Sequence, residues 1–232
     1  MQNLGFTRSS HQRDHLLLTP DTFVRAPLAG MEKCTAIVHA APAVGAAFTQ
    51  YTAEFEAGGR LGPCQVQRFV YLLEGTLHVD GRSLGAGEYA YLPEAVSAVS
   101  AARAVVIEKP YRPLDGMQQP LRFTGSQREA APRVLMGDRD LTVQVLIPEN
   151  PAFDFAVNIM TFQPGAALPQ VEIHVMEHGL LLLEGGGIYR LGEKWYPVTA
   201  GDFIWMAPYC PQWFGAIGKT PAKYLIYKDW NR

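Results

Sequence analysis

Apolar residues along this chain come in short runs that alternate with polar positions, and none recurs at every third or fourth place for long. "AAFTQYTAEFEAGGRLG", "FVYLLEGTLHVDGRSLGAGEYAYLP" and "LLLLEGGGIYRLGEKWYPVTAGDFIWMAP" each read as strands of β-branched and aromatic residues. Turn signals interrupt them at intervals of about 8 to 12 residues. With 22 Gly and 17 Pro there is little room for long helices, so the pattern predicts an all-β protein.

The pattern is used twice. "YLLEGTLHVDGRSLGAGEYAYLPEAV" and "LLLEGGGIYRLGEKWYPVTAGDFIWMAPYCP" share the order LLEG, polar turn, AG(E/D), aromatic, then Pro. "EFEAGGRLG" and "TFQPGAALP" extend the match upstream. Residues 110 to 133, rich in Pro, Gly and charge, are the weakest stretch for regular structure, which places a boundary near residue 116 and predicts two domains, 1–115 and 116–232. Two sets of short antiparallel strands with Gly-Glu or Gly-Asp corners describe two tandem double-sheet jelly-roll barrels.

Composition removes several functions. A 232-residue chain that is 48% hydrophobic can bury a core without disulfide or structural metal. Lys and Arg total 20 against 22 Asp and Glu, and no basic cluster is present to neutralise a run of phosphates, so nucleic acid is not an expected partner. No apolar stretch approaches a membrane span and the first thirty residues lack a signal-peptide core, which gives a cytoplasmic expectation. Cys34, Cys64 and Cys210 form no CxxC and read as free, packed thiols.

The candidate chemistry lies in "VEIHVMEHGLLLLEGGG", residues 171 to 187. If the segment is a strand, period 2 turns Glu172, His174 and His178 to one face and Ile173, Val175 and Glu177 to the other. Glu177 is then an outward surface carboxylate. The run from Gly165 through these residues to Gly185, followed by Pro208 and Gln212, is similar to the cupin motif, with Gln212 where that motif's last histidine stands. Both halves resemble cupins, so the expected fold is a bicupin of two double-stranded β-helix barrels. Two imidazoles, a carboxylate and an amide, with no thiolate, suit manganese or ferrous iron, although zinc, nickel or copper would bind more tightly in free competition. The same register in the first half puts Gly62, Cys64 and Arg68 at the ligand positions and Ser97 near the fourth, so that barrel is expected to hold no metal.

The strings "EIHVMEHG", "WYPVTAGDF" and "KYLIYKDWNR", with "LLTPDTFVRAPLAGMEKCTAIV" near the start, resemble the (S)-ureidoglycine aminohydrolases along nearly the whole chain. That resemblance implies hydrolytic deamination of (S)-ureidoglycine to (S)-ureidoglycolate and ammonia in allantoin and purine breakdown. It also implies one Mn2+ on Glu172, His174, His178 and Gln212, with substrate contacts at Glu172, Gln212, Tyr224 and Lys228. Glu172 and Lys228 are the expected catalytic residues. Tyr224 and Lys228 share a strand face by period 2, while Tyr189 and Cys210 are not separable from core residues. An oxygenase or decarboxylase, a sugar-acid isomerase, or a small-molecule binder on the same fold stays open, since function belongs to the site and not the barrel. Open strand edges on duplicated barrels make a homodimer or larger assembly the expected state.

Overall fold

A computed structural model describes residues 5 to 229. Among these residues every regular element is a β-strand apart from two short 3₁₀ turns, Pro20–Thr22 and Pro42–Val44. None of the helical segments is long and apolar enough to cross a membrane. The expected all-β class therefore holds, and its strands fall into two compact units.

The unit formed by residues 24–130 and 150–154 contains one curled sheet. Its spine runs Glu88–Tyr91, Gln67–Glu74, Ala102–Lys109, Thr49–Leu61, Val96–Ala98 and Leu77–Val79. Thr49–Leu61 has 13 residues and serves both ends of the curl: its first half pairs with Ala102–Lys109, and its last two residues pair with Val96 and Ser97. Alternate inward residues, including Tyr51, Ala53, Val70, Leu72, Ala104 and Val106, close over one another as the core. Each large apolar side chain removed from water contributes about 1.5–3 kcal/mol, which is why the alternation selects one register.

The other unit comprises residues up to Phe23, 131–149 and from 155 onward. An eight-stranded sheet in the order Ser10–His11, His15–Leu18, Phe203–Met206, His178–Glu184, Ala222–Asp229, Phe155–Phe162, Asp138–Val145 and Arg133–Leu135 forms one layer. Lys194–Thr199, Gly186–Leu191 and Gln212–Ala216 form the second. Leu180, Leu182, Tyr189, Phe214, Tyr224 and Ile226 fill the space within this unit.

The repeated LLEG string turns the chain alike in both units. Gly75 and Gly185 have φ of 85° and 64°, in the left-handed region that favours glycine. A Cβ would drive Gly75 into the carbonyl oxygen of Ala101 and Gly185 into that of Pro221. The units do not follow a single cut near residue 116. His15–Leu18 pairs with Phe203–Met206, so this early segment belongs with the later barrel, and Phe123–Ser126 pairs with Glu88–Tyr91, so residues just past 116 belong with the earlier one. Pro and Gly mark where regular structure weakens, but which open strand edge a flanking segment completes is decided by pairing far away in sequence.

Candidate metal centre

Five strands, carrying Asn158, His178, Tyr189, Gln212, and Tyr224 with Lys228, and one irregular segment build the site in the second unit. Between Leu168 and Glu177 the backbone joins no ladder, and it is tied down by an isolated bridge between Glu172 and Gln212. The two residues exchange backbone hydrogen bonds, Glu172 N to Gln212 O at 2.8 Å and Gln212 N to Glu172 O at 3.0 Å. Ile173 is 61% exposed while Glu172 and His174 are turned toward the cavity, so the expected alternation survives without a regular strand. The expectation of a surface carboxylate fails. Glu177 does lie on the face away from the cavity, since Glu172, His174, Met176 and His178 all line it, but that face is covered: the carboxylate is buried and accepts the indole N–H of Trp205 at 2.8 Å.

His174 and His178 meet with their Nε2 atoms 3.2 Å apart, and the Gln212 side-chain amide lies 2.9 Å from His174 Nε2. Tyr189 donates its hydroxyl to Gln212 Oε1 at 3.3 Å. Burial first, then the charges of His174 and Lys228, push His178 down to about 3, so its imidazole is neutral and the ring nitrogen without the proton is available as a ligand. Two imidazole nitrogens pointed at one another are stable only with something positive between them, a proton or a metal ion. Their spacing matches two neighbouring ligands on one ion at about 2.1 Å from each. The donor set therefore fits a divalent cation.

Glu172 lines the same cavity but does not draw close to the two imidazoles. Among the described residues, the group of three histidine, cysteine or acidic donors lying within 4.8 Å of one another is Asp14, His15 and Cys210 instead. Burial raises the Glu172 carboxyl above its ordinary range, against the opposing pull of His174 and Lys228. Lys228 sits directly across the strand pair from His178. Its ammonium is lowered by burial, opposed by Glu149 and Glu172, and donates to the Asn158 side-chain oxygen at 3.1 Å. Tyr224 is fully buried beside Tyr189, and both phenols are pushed up by that burial.

A cavity of about 380 Å³ joins these groups, with Glu172, His174, His178, Gln212, Tyr224 and Lys228 all in its lining. All six residues singled out from the sequence are thus brought together. Asn158 and Tyr189 were not legible in the same way. The signal for Asn158 was a polar residue inside the apolar strand FAVNIMTF, and Tyr189 followed the glycine turn like any packing aromatic.

A curled sheet closed by a second layer around two histidines and a glutamine defines a cupin, and residues 158–227 match the Cupin domain family. The comparison with characterised proteins narrows this. The chain is 39% identical over 239 residues to the (S)-ureidoglycine aminohydrolase of Arabidopsis thaliana, covering 98% of this chain and 80% of that protein. It is 31% identical over 231 residues to the (S)-ureidoglycine aminohydrolase of Escherichia coli (strain K12), covering 93% and 88%. The solved structure of protein Ylba from E. coli superposes with a TM-score of 0.84 at 28% identity, covering 97% of this chain and 95% of that one. The chain belongs to the (S)-ureidoglycine aminohydrolase family.

Proposed function

We propose that the protein removes the amino group of (S)-ureidoglycine by hydrolysis, giving (S)-ureidoglycolate and ammonia in allantoin and purine breakdown. The observation that supports this reading best is the convergence of His174, His178 and Gln212 on one point, with Lys228 beside them in the lining of one cavity, in a chain of this family.

His174, His178 and Gln212 would hold one Mn2+, and Glu172 would complete the set by turning its side chain toward them. When bound, the ion supplies Lewis acidity and a fixed point of chelation for a small anionic substrate. The protein's own groups do the rest. The reacting carbon carries an amine, a ureido nitrogen and a carboxylate, so the site must hold an anion and fix one enantiomer. Lys228, steadied by Asn158, offers its ammonium to the carboxylate or ureido oxygen, while Tyr224 and Tyr189 supply hydroxyls from a rigid buried wall. Water gives its oxygen to the reacting carbon as the carbon–nitrogen bond breaks, and one water proton leaves with the amine as ammonia. Glu172, the carboxylate in the lining of the same cavity, would carry that proton. With this reading go a cytoplasmic location, a small-molecule substrate and a homo-oligomeric state.

The test is ammonia release from ureidoglycine, generated in the assay from allantoate because the compound decays, using protein stripped of metal and then given Mn2+. Acceleration well above the spontaneous rate, yielding one enantiomer of ureidoglycolate and lost in Glu172→Ala, is the expected result. A protein that binds Mn2+ and gives no acceleration would overturn the reading.

A further inference from the structure

Away from the cavity just described, Asp14, His15 and Cys210 bring a carboxylate, an imidazole and a thiol together, one donor atom of each within 4.8 Å of the others. His15 and Cys210 are buried, whereas the Asp14 side chain is 45% exposed, so the cluster has one open side. His15 Nδ1 lies 2.8 Å from Asp14 Oδ1. The other ring nitrogen, Nε2, is held at 2.8 Å by the hydroxyl of Tyr196, which in turn lies 3.2 Å from Ser10 Oγ. The thiol makes a long hydrogen bond of 3.6 Å to the carbonyl of Pro211. Gly192, at a φ of 57°, lies against the group: a Cβ there would come 3.2 Å from Asp14 Oδ2 and about 4 Å from the His15 ring, so glycine keeps that space clear.

We infer that Asp14, His15 and Cys210 form a second metal site, distinct from the cupin centre, for a borderline divalent ion such as Zn2+. Carboxylate, imidazole and thiolate are the donor types such an ion takes in tetrahedral sites, and the thiolate makes the site unlike the sulfur-free cupin centre. A ligating histidine needs its other nitrogen fixed by a partner, and Tyr196 provides that partner. The protons balance. Without an ion, Nδ1 carries the ring proton toward Asp14 and Tyr196 O–H donates to Nε2. With an ion on Nδ1, the ring proton sits on Nε2 and is donated to the Tyr196 oxygen, whose own proton turns to Ser10. The thiol proton of Cys210 passes to solvent, and a water entering beside Asp14 fills the fourth position. The bound ion would clamp the strand His15–Leu18 to the turn that leads, two residues later, into the strand carrying Gln212.

The experiment adds Co2+ as a probe to metal-stripped protein and reads the thiolate-to-cobalt charge-transfer absorption in the near ultraviolet. The band is expected in the native sequence and in the His174→Ala/His178→Ala double variant, and is expected to vanish in Cys210→Ser and in Asp14→Asn/His15→Ala. In the His174→Ala/His178→Ala background, where the cupin centre no longer takes the ion, Zn2+ should displace the cobalt and raise the thermal midpoint, and adding Cys210→Ser should remove that rise. Absence of the band from native protein, its persistence in Cys210→Ser, or its loss with the two cupin histidines would each overturn the inference. Because the readout is spectroscopic, it is independent of whether ureidoglycine is turned over.

Discussion

The two barrels place opposite chemistry on matching scaffolds. In the first, Arg68 stands across the strand pair from Glu108, as His178 stands across from Lys228 in the second. Tyr51 reaches Glu108 as Asn158 reaches Lys228. Arg68 is buried, donates to Glu108 at 2.7 Å and to the carbonyls of Gly62 and Glu94 at 2.8 and 3.1 Å, and so spends its donors on the barrel's own acceptors. In the second barrel the corresponding groups are two imidazoles and a lysine, none of which brings a negative charge to pair with the others. The difference teaches that a barrel becomes a site when its inward polar groups are left needing a third party, and becomes inert when they pair among themselves.

The largest expected effect comes from breaking the second barrel at His178. His178→Ala should abolish Mn2+ retention and cut kcat/KM by more than the ~10²-fold that changes behind a metal ligand cause, as read by metal analysis after dialysis and by the ammonia assay. The first barrel should respond in stability instead. Arg68→Ala strands a partly buried carboxylate, so the stability read from urea unfolding should fall by roughly 3 kcal/mol, while kcat of the folded enzyme stays near native. Recovery of that stability in Arg68→Met/Glu108→Leu would identify the stranded charge, and not lost packing, as the cause.

Lys228→Ala sharpens the contrast within the second barrel. It should leave bound Mn2+ unchanged and lower kcat/KM by about 10²-fold, with Asn158→Ala giving roughly a tenth of that effect, mostly in KM, if Asn158 acts by steadying the ammonium. Equal losses from both would argue that Asn158 touches substrate itself. The smallest effect is a pH dependence from the first barrel. Burial holds His39 down to about 3, against about 6.5 when the chain is unfolded. The unfolded state therefore takes up the proton first as pH falls. The contribution of His39 is complete above about pH 6.5 and is lost progressively below it, on the order of 1–2 kcal/mol between 6.5 and 5. Urea midpoints at pH 7 and pH 5 should differ less in His39→Gln.

The sequence carried the strands, the duplication and the six residues around the cavity, because alternation and glycine turns are local signals. It also showed Arg68 at a ligand position, but not Glu108, forty residues away, which turns that arginine from a repelling charge into a plug. Glu177 misled because period 2 gives the face a side chain takes and not what covers that face, and here Trp205, 28 residues later, buries it. The Asp14–His15–Cys210 group was illegible for the same reason as the unit boundaries: both depend on an early strand finding an edge formed far later in the chain.

That pairing also sets a clock. His15–Leu18 cannot take its place until Phe203–Met206 exists, about 190 residues later in synthesis. At translation speeds of about 5–20 residues per second, the early strand waits on the order of 10–40 s for its neighbour. During that interval the earlier barrel already has all its strands up to Phe123–Ser126, whereas the later one must close around a segment made long before the rest of it. The unit that holds the candidate metal centre is thus the last to have all its strands, and one of them is made long before the neighbour it pairs with.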